Sequence, residues 1–342
     1  MQRVFLPPAT TIRDVSAAGE AALGPAVPLV PHGRREVGGA PTSQGHLEAP
    51  HPALERRRPL FHPARGWFRR TERAASHFLA RNVYPWVPGL GLPYSALLDR
   101  NLTLSEARIE LSGLPRAFDG LRVLLITDIH AGPFISPGAL KGAVDRLQLL
   151  EPDLILLGGD LATARVEEIR DNAAAFRSLR APCGVFAVLG NHDHYTGESE
   201  RLISLVEETG IGVLNNRSVD LRRGGQRLSL AGVDDLLMGS PDLERALHRT
   251  EPPVVLLSHN PDLLFDAARH GVALMLSGHT HAGQIRLRGL PVLVRQSRYR
   301  LDEGRYRYRE TELVVSRGLG AVGVPWRSNC APEAILLTLD AA

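Results

Sequence analysis

The chain has 342 residues, 44% of them hydrophobic, which is enough for one large α/β domain with an appendage. The sequence pI is near 9.1 but the formal net charge is only +3, a bias compatible with anionic substrates or an anionic membrane surface that establishes neither. Cys183 and Cys330 are the only cysteines, without paired spacing, which argues against a disulfide framework and against a thiolate metal site. No uninterrupted apolar run of roughly 18 residues is present, so no transmembrane helix is expected. The N-terminus lacks the apolar region of a secretory signal, and Arg69-Arg70 is followed by a stretch too polar for export, so the cytoplasm is the default location.

Residues 1–65 are rich in Pro, Gly, Ala and Arg and show no sustained period, which predicts a disordered or loosely ordered arm. The character changes over 66–105, where a helix is expected at about 66–83, followed by a linker. That segment interleaves arginines with Trp67, Phe68, Phe78, Tyr84 and Trp86. It reads either as a helix packed on the next domain or as an interfacial helix that makes peripheral membrane contact through residues 66–86.

A β/α alternation then fills 106–342. Strands are expected at 107–111, 121–127, 153–157, 184–189, 253–258 and 272–277, with helices at about 137–150, 165–179, 198–209, 241–248 and 261–269. Shorter strands are expected near 211–214, 217–222 and 227–232, and two more near the end, at 312–316 and 334–339. This is the pattern of a layered α/β domain. Arginines at 305, 307 and 309 alternate with tyrosines, which suits one face of a hairpin strand better than a nucleic-acid stripe, so nucleic acid is not an expected partner.

Five of the apolar strands end in Asp, Asn or His: Asp128 and His130, Asp160, Asn191 and His192, His259, then His279 and His281. Ligands bind beyond the carboxyl ends of strands in open α/β sheets, so these endings are candidates for one site. One such ending is ordinarily a helix cap or a satisfied histidine. Five of them assemble carboxylates and imidazoles whose burial requires positive charge between them. Imidazole, carboxylate and one amide oxygen without thiolate suit Mn, Fe or Zn. The donors exceed one tetrahedral ion, so two divalent metal ions sharing a carboxylate fit better, with Asp160, after its Gly-Gly turn, as the bridge.

In this order, Asp128-x-His130, Gly159-Asp160, Gly190-Asn191-His192-Asp193, His259 and Gly278-His279-x-His281 resemble the calcineurin-like metallophosphoesterase superfamily over about 106–340. Ala231-Gly232-Val233-Asp234-Asp235, Ser316-Arg317-Gly318-Leu319-Gly320 and the residues after His281 resemble its bacterial YaeI-like phosphodiesterase branch, where Ala282 replaces a common glycine. The resemblance implies a four-layer α/β/β/α sandwich. It also implies one metal on Asp128, His130, Asp160 and His281, and a second on Asp160, Asn191, His259 and His279. His192 would give a proton to the leaving group, with Asp193 orienting it, while a metal-bridging hydroxide attacks a phosphodiester or pyrophosphate. His194 has no implied role and reads as a solvent-facing turn residue. Expected substrates are small phosphodiesters, nucleotides or lipid-linked phosphates such as UDP-diacylglucosamine at the membrane surface; the alternative is a silent protein-binding scaffold.

Overall fold

Strands that are apolar on both faces need cover on both sides, and two stacked sheets with helices outside each provide it. The computed structural model describes residues 92–286 and 295–342, parts of 78–90, and two short upstream strands. The first sheet contains β1 (Gln2–Phe5), β3 (Thr103–Leu111), β4 (Leu121–Ile126), β5 (Leu154–Gly158), β6 (Val185–Val188), β7 (Gly212–Val213) and β14 (Glu333–Ala341). Its order is β1-β3-β14-β4-β5-β6-β7. The second contains β2 (Gly45–His46), β8 (Arg217–Arg223), β9 (Gln226–Gly232), β10 (Val254–Leu257), β11 (Leu274–Ser277), β12 (Gly304–Tyr308) and β13 (Thr311–Val315), in the order β2-β12-β13-β11-β10-β9-β8.

The strands that matter to function are parallel: β4, β5 and β6 in the first sheet, and β9, β10, β11 and β13 in the second. Their side chains alternate between two apolar environments. Val123, Leu125, Leu154 and Leu156 face the second sheet and pack with Val255, Leu257, Leu274 and Leu276. Their neighbours Leu124, Ile126, Ile155 and Leu157 face the outer helices. Each fully buried Leu or Ile contributes roughly 2 kcal/mol, which explains why these strands appear in the sequence as unbroken apolar runs.

Helices α1 (Leu92–Asn101), α2 (Pro137–Gln148), α3 (Glu167–Asp171), α4 (Ala173–Ser178) and α6 (Ser199–Glu207) cover the first sheet. The short α5 (Asn191–Tyr195) follows β6, and α7 (Leu243–Leu247) and α8 (Leu264–Arg269) cover the second sheet. The four layers expected of the fold are all present. Ser136 caps α2 by accepting from the Ala139 amide, with Pro137 in the first turn, which is the start signal visible in the sequence.

Three elements differ from expectation. The helix expected over 165–179 is two helices, divided at Asn172, whose backbone lies at φ −103°, ψ 11° and whose amide donates to the Glu168 carbonyl. β3 extends to Thr103 and pairs in parallel with β14 along nine residues. α1 replaces part of the linker, with Tyr94 and Leu98 fully buried. The hairpin expected of the alternating arginines is β12 paired antiparallel with β13, where Arg305 donates to Glu312 at 2.7 Å. The arm over 1–65 lies outside the described residues except for β1 and β2, each at the end of its sheet. Of the helix expected at 66–83, only fragments from Phe78 onward are described.

Candidate metal centre

The C-terminal ends of the parallel strands of both sheets meet, and this places the candidate ligands. β4 leads to Asp128 and His130, β5 to Asp160, β6 to Asn191 at the start of α5, β10 to His259, and β11 to His279 and His281. The turns that aim them are strained. Asp128 (φ 51°), His130 (46°), Asp160 (51°), His279 (71°) and His281 (48°) all occupy the left-handed region, which costs of order 1–3 kcal/mol per residue. Close approach also dictates Gly190, where a Cβ would lie 2.2 Å from Asp160 Oδ1. Gly318, at φ +77°, would set a Cβ 2.6 Å from that of Asp128.

One donor atom from each of Asp128, His130, Asp160 and His281 lies within 4.8 Å of all the others, and all four residues are buried. His130 Nε2 is 3.0 Å from His281 Nε2 and 3.6 Å from Asp160 Oδ2, and His281 Nε2 is 3.4 Å from Asp128 Oδ1. A second group adjoins it through the same Asp160 oxygen. His259 Nε2 lies 3.3 Å from Asp160 Oδ2 and 3.2 Å from His279 Nδ1. The Oδ1 of Asn191 is buried without a hydrogen-bond partner. His259 Nδ1 donates to the Gly158 carbonyl, which turns Nε2 toward Asp160. Six of the candidate ligands are therefore joined by short contacts, and Asn191 opens the turn whose next amide, that of His192, donates to Asp160 Oδ1.

This arrangement fits divalent cations on its own chemistry. Ring nitrogens face one another and face carboxylates in a buried volume, and an amide oxygen has no donor. The protonation pattern carries the same demand for positive charge. Burial pulls the His259 imidazole down, yet Asp160, Asp128 and Asp235 together hold it well above its usual range. Burial pushes Asp128 up to about 6, while the field of His259 opposes that rise. Burial, followed by neighbouring cationic groups, keeps His130 and His281 well below the usual imidazole range.

The turn after β6 departs from the expected roles in two places. No hydrogen bond joins the Asp193 carboxylate to the His192 ring. That buried carboxylate accepts from the amides of Gly190 (2.9 Å), Leu161 (3.2 Å) and Ala162 (2.9 Å), tying the Asp160 and Asn191 loops together. The ring of His192 is oriented instead by the Thr163 carbonyl, 2.7 Å from Nδ1, and its backbone amide donates to Asp160 Oδ1 at 2.7 Å. His194 is not a solvent-facing turn residue. Its Nε2 lies 2.7 Å from Asp234 Oδ1 and its Nδ1 3.1 Å from Ser199 Oγ.

Arg327 carried no signal in the sequence. Its guanidinium is buried and donates to the carbonyls of Gly320 and Arg317, both at 2.8 Å, and to His281 Nδ1 at 3.0 Å. A guanidinium only donates, so His281 Nδ1 is the acceptor in this contact. Only the chain path from β11 through residues 316–330 brings this arginine behind the ligand.

A calcineurin-like phosphoesterase family model matches residues 121–283. The chain is 32% identical over 259 residues to the uncharacterized metallophosphoesterase YkuE of Bacillus subtilis, covering 73% of this chain and 90% of that one. An uncharacterized metallophosphoesterase of Aquifex aeolicus is 28% identical over 72% of this chain and 95% of its own length. A zebrafish transmembrane protein with metallophosphoesterase domain is 32% identical over 69% of this chain, which spans 57% of that relative's length. No helix among the described residues is long and apolar enough to cross a membrane. With its strand-end donors in two stacked sheets and relatives aligned over most of its length, the chain belongs to the calcineurin-like metallophosphoesterase family.

Proposed function

We propose that this protein hydrolyses phosphodiester or pyrophosphate bonds at a centre holding two divalent metal ions. The observation that carries this reading is the pair of adjoining donor groups that share Asp160, one of them with four donor atoms within 4.8 Å. Asp128, His130, Asp160 and His281 would hold one ion; Asp160, Asn191, His259 and His279 the other. Mn, Fe or Zn suits these donors, and two such ions would supply a water activated near neutral pH and a clamp for the phosphoryl oxygens.

The chain's own residues do the rest. The Thr163 carbonyl takes up Nδ1 of His192 and leaves Nε2 as the ring atom available to a substrate. From that atom His192 would pass a proton to the leaving oxygen. Asp193 holds the Asp160 and Asn191 loops in register rather than acting on His192. A catalytically silent scaffold would be expected to have lost ligands or His192, and each is present.

The test is hydrolysis by purified protein with Mn²⁺, comparing bis-p-nitrophenyl phosphate, p-nitrophenyl phosphate and a UDP-sugar lipid. Diester or pyrophosphate cleavage is expected. His192→Ala should lower kcat by roughly 10²–10⁴ with bound metal unchanged. A metal-loaded protein inactive on all three substrates would refute the reading.

One observation favours a lipid-linked diphosphate at a membrane surface among these substrates. Trp86 (77% exposed) and Trp326 (54% exposed) stand with exposed Val87, Val324 and Ile285 on adjoining segments. Tyr84 Oη donates to the Gly323 carbonyl, and Gln284 Nε2 to the carbonyls of Val322 and Val324, which joins these residues to the loop that carries His281. Tryptophans beside aliphatic side chains suit the headgroup level of a bilayer.

A further inference from the structure

A sixth strand end lies beside the one that carries His259. β9 is the parallel neighbour of β10, with Gly232 opposite Leu257, and the Val233 amide donates to the Leu257 carbonyl at 3.2 Å. The residues after β9 therefore run beside Ser258 and His259. They are Asp234 and Asp235.

The two aspartates are used differently. Asp234 is a staple: Oδ1 takes His194 Nε2 at 2.7 Å and the Asp235 amide at 2.9 Å, and Oδ2 takes the Ser240 amide at 2.9 Å. This ties the 234–240 loop to α5 and fixes where the next side chain points. Asp235 is fully buried. Its Oδ2 accepts from the Leu237 and Met238 amides at 2.8 and 2.7 Å, but its Oδ1 has no hydrogen-bond partner. A buried carboxylate oxygen without a donor is costly unless something positive or protic faces it. Burial pushes this carboxyl above its usual range, His259 opposes that rise and Asp160 adds to it, so two members of the second donor group act on it electrostatically and a cation there would favour its charged form.

We infer that Asp235 is a positioning residue for the second cation: it follows the strand end paired with that of His259, and its unpartnered buried oxygen puts a negative charge next to that donor group. The inference rests on the two-cation reading. Charge supports it as well as geometry. The carboxylates among the candidate ligands are Asp128 and Asp160, so two divalent cations leave excess positive charge in a buried pocket, and Asp235 supplies a further negative charge beside the second one. Such outer carboxylates typically change metal affinity or activity by 10- to 100-fold.

The experiment is Mn²⁺ binding to the full chain by titration calorimetry, with metal content by elemental analysis, for wild type and Asp235→Asn. Asparagine keeps an oxygen for the Leu237 and Met238 amides and turns an NH₂ where the free oxygen was. Wild type should bind two ions. The variant should hold the first ion at wild-type affinity and the second roughly 10–100-fold more weakly. A purely structural role would lower the melting temperature and weaken both sites together. Both ions bound at wild-type affinity in Asp235→Asn would overturn the inference, as would equal weakening at both sites. If Asp235→Asn does not fold, Asp235→Ser carries the same test, again removing the charge. A wild-type protein that binds fewer than two ions would instead overturn the two-cation reading on which this one stands.

Discussion

His259 is where protonation and metal uptake meet. Its Nδ1 is committed to the Gly158 carbonyl, so Nε2 is both the atom a cation would use and the atom that carries the extra proton. Although burial opposes it, the surrounding carboxylates hold that proton well above the usual imidazole range. Below that raised value the ring is an imidazolium, and a cation must expel its proton to bind. Affinity for Mn²⁺ should therefore rise with pH through the neutral range. Calorimetry in two buffers of different ionisation enthalpy should report net proton release. Identical heats in the two buffers would mean that His259 is already neutral before metal arrives. At the same scale, Asp193 and His194 show how far residue type alone can mislead. Both lie within two residues of His192 in the chain, yet one turns into three backbone amides and the other bonds to a loop forty residues away.

Among the elements, the turn Ser316–Gly320 backs Asp128 from the chain segment after β13. The Leu319 amide donates to the Thr127 carbonyl at 2.9 Å and the Gly320 amide to the Asp128 carbonyl at 2.6 Å. The turn is in turn held by a buried ion pair: Arg317 Nη2 lies 2.9 Å from Glu333 Oε1 on β14, and the Arg317 amide donates to Oε2 at 3.0 Å. Thr103 and Ser105 on β3 complete the cluster. Replacing Glu333 by Ala would leave a buried guanidinium uncompensated, and such losses cost about 3–5 kcal/mol. Urea unfolding should show a destabilisation of that size; a loss below about 1 kcal/mol would mean that the arginine charge is met elsewhere, with Glu303 at 3.8 Å the nearest candidate. α1 supports the same turn from outside, where Tyr94 Oη reaches the Leu319 and Gly320 carbonyls at 2.7 and 2.8 Å. Neither α1 nor β14 falls within residues 121–283, so part of what shapes the metal centre lies beyond the matched family region.

For the whole molecule, the testable consequence is where it sits. If the exposed Trp86 and Trp326 rim meets lipid, wild-type protein should float with anionic vesicles, and Trp86→Ala with Trp326→Ala should reduce the bound fraction several-fold without changing hydrolysis of a soluble diester. Equal flotation of the double variant would end the membrane reading and leave soluble phosphodiesters or nucleotides as the substrate class.

The chain by itself determined the layered α/β architecture and the seven candidate ligands. Both follow from local rules: a strand buried on two faces must be an apolar run, and a ligand at its carboxyl end must come next in the sequence. The alternating arginines of β12 could be placed on a hairpin for the same reason, since a two-residue period is a local property. Tertiary structure alone decided which atoms face each other. It broke the helix at Asn172, gave His192 to the Thr163 carbonyl, brought Arg327 to His281, and set the strand end before Asp235 beside that of His259. These contacts join residues from separate strands and loops, and their partners depend on sheet order and register, which no pattern within a short window of sequence encodes.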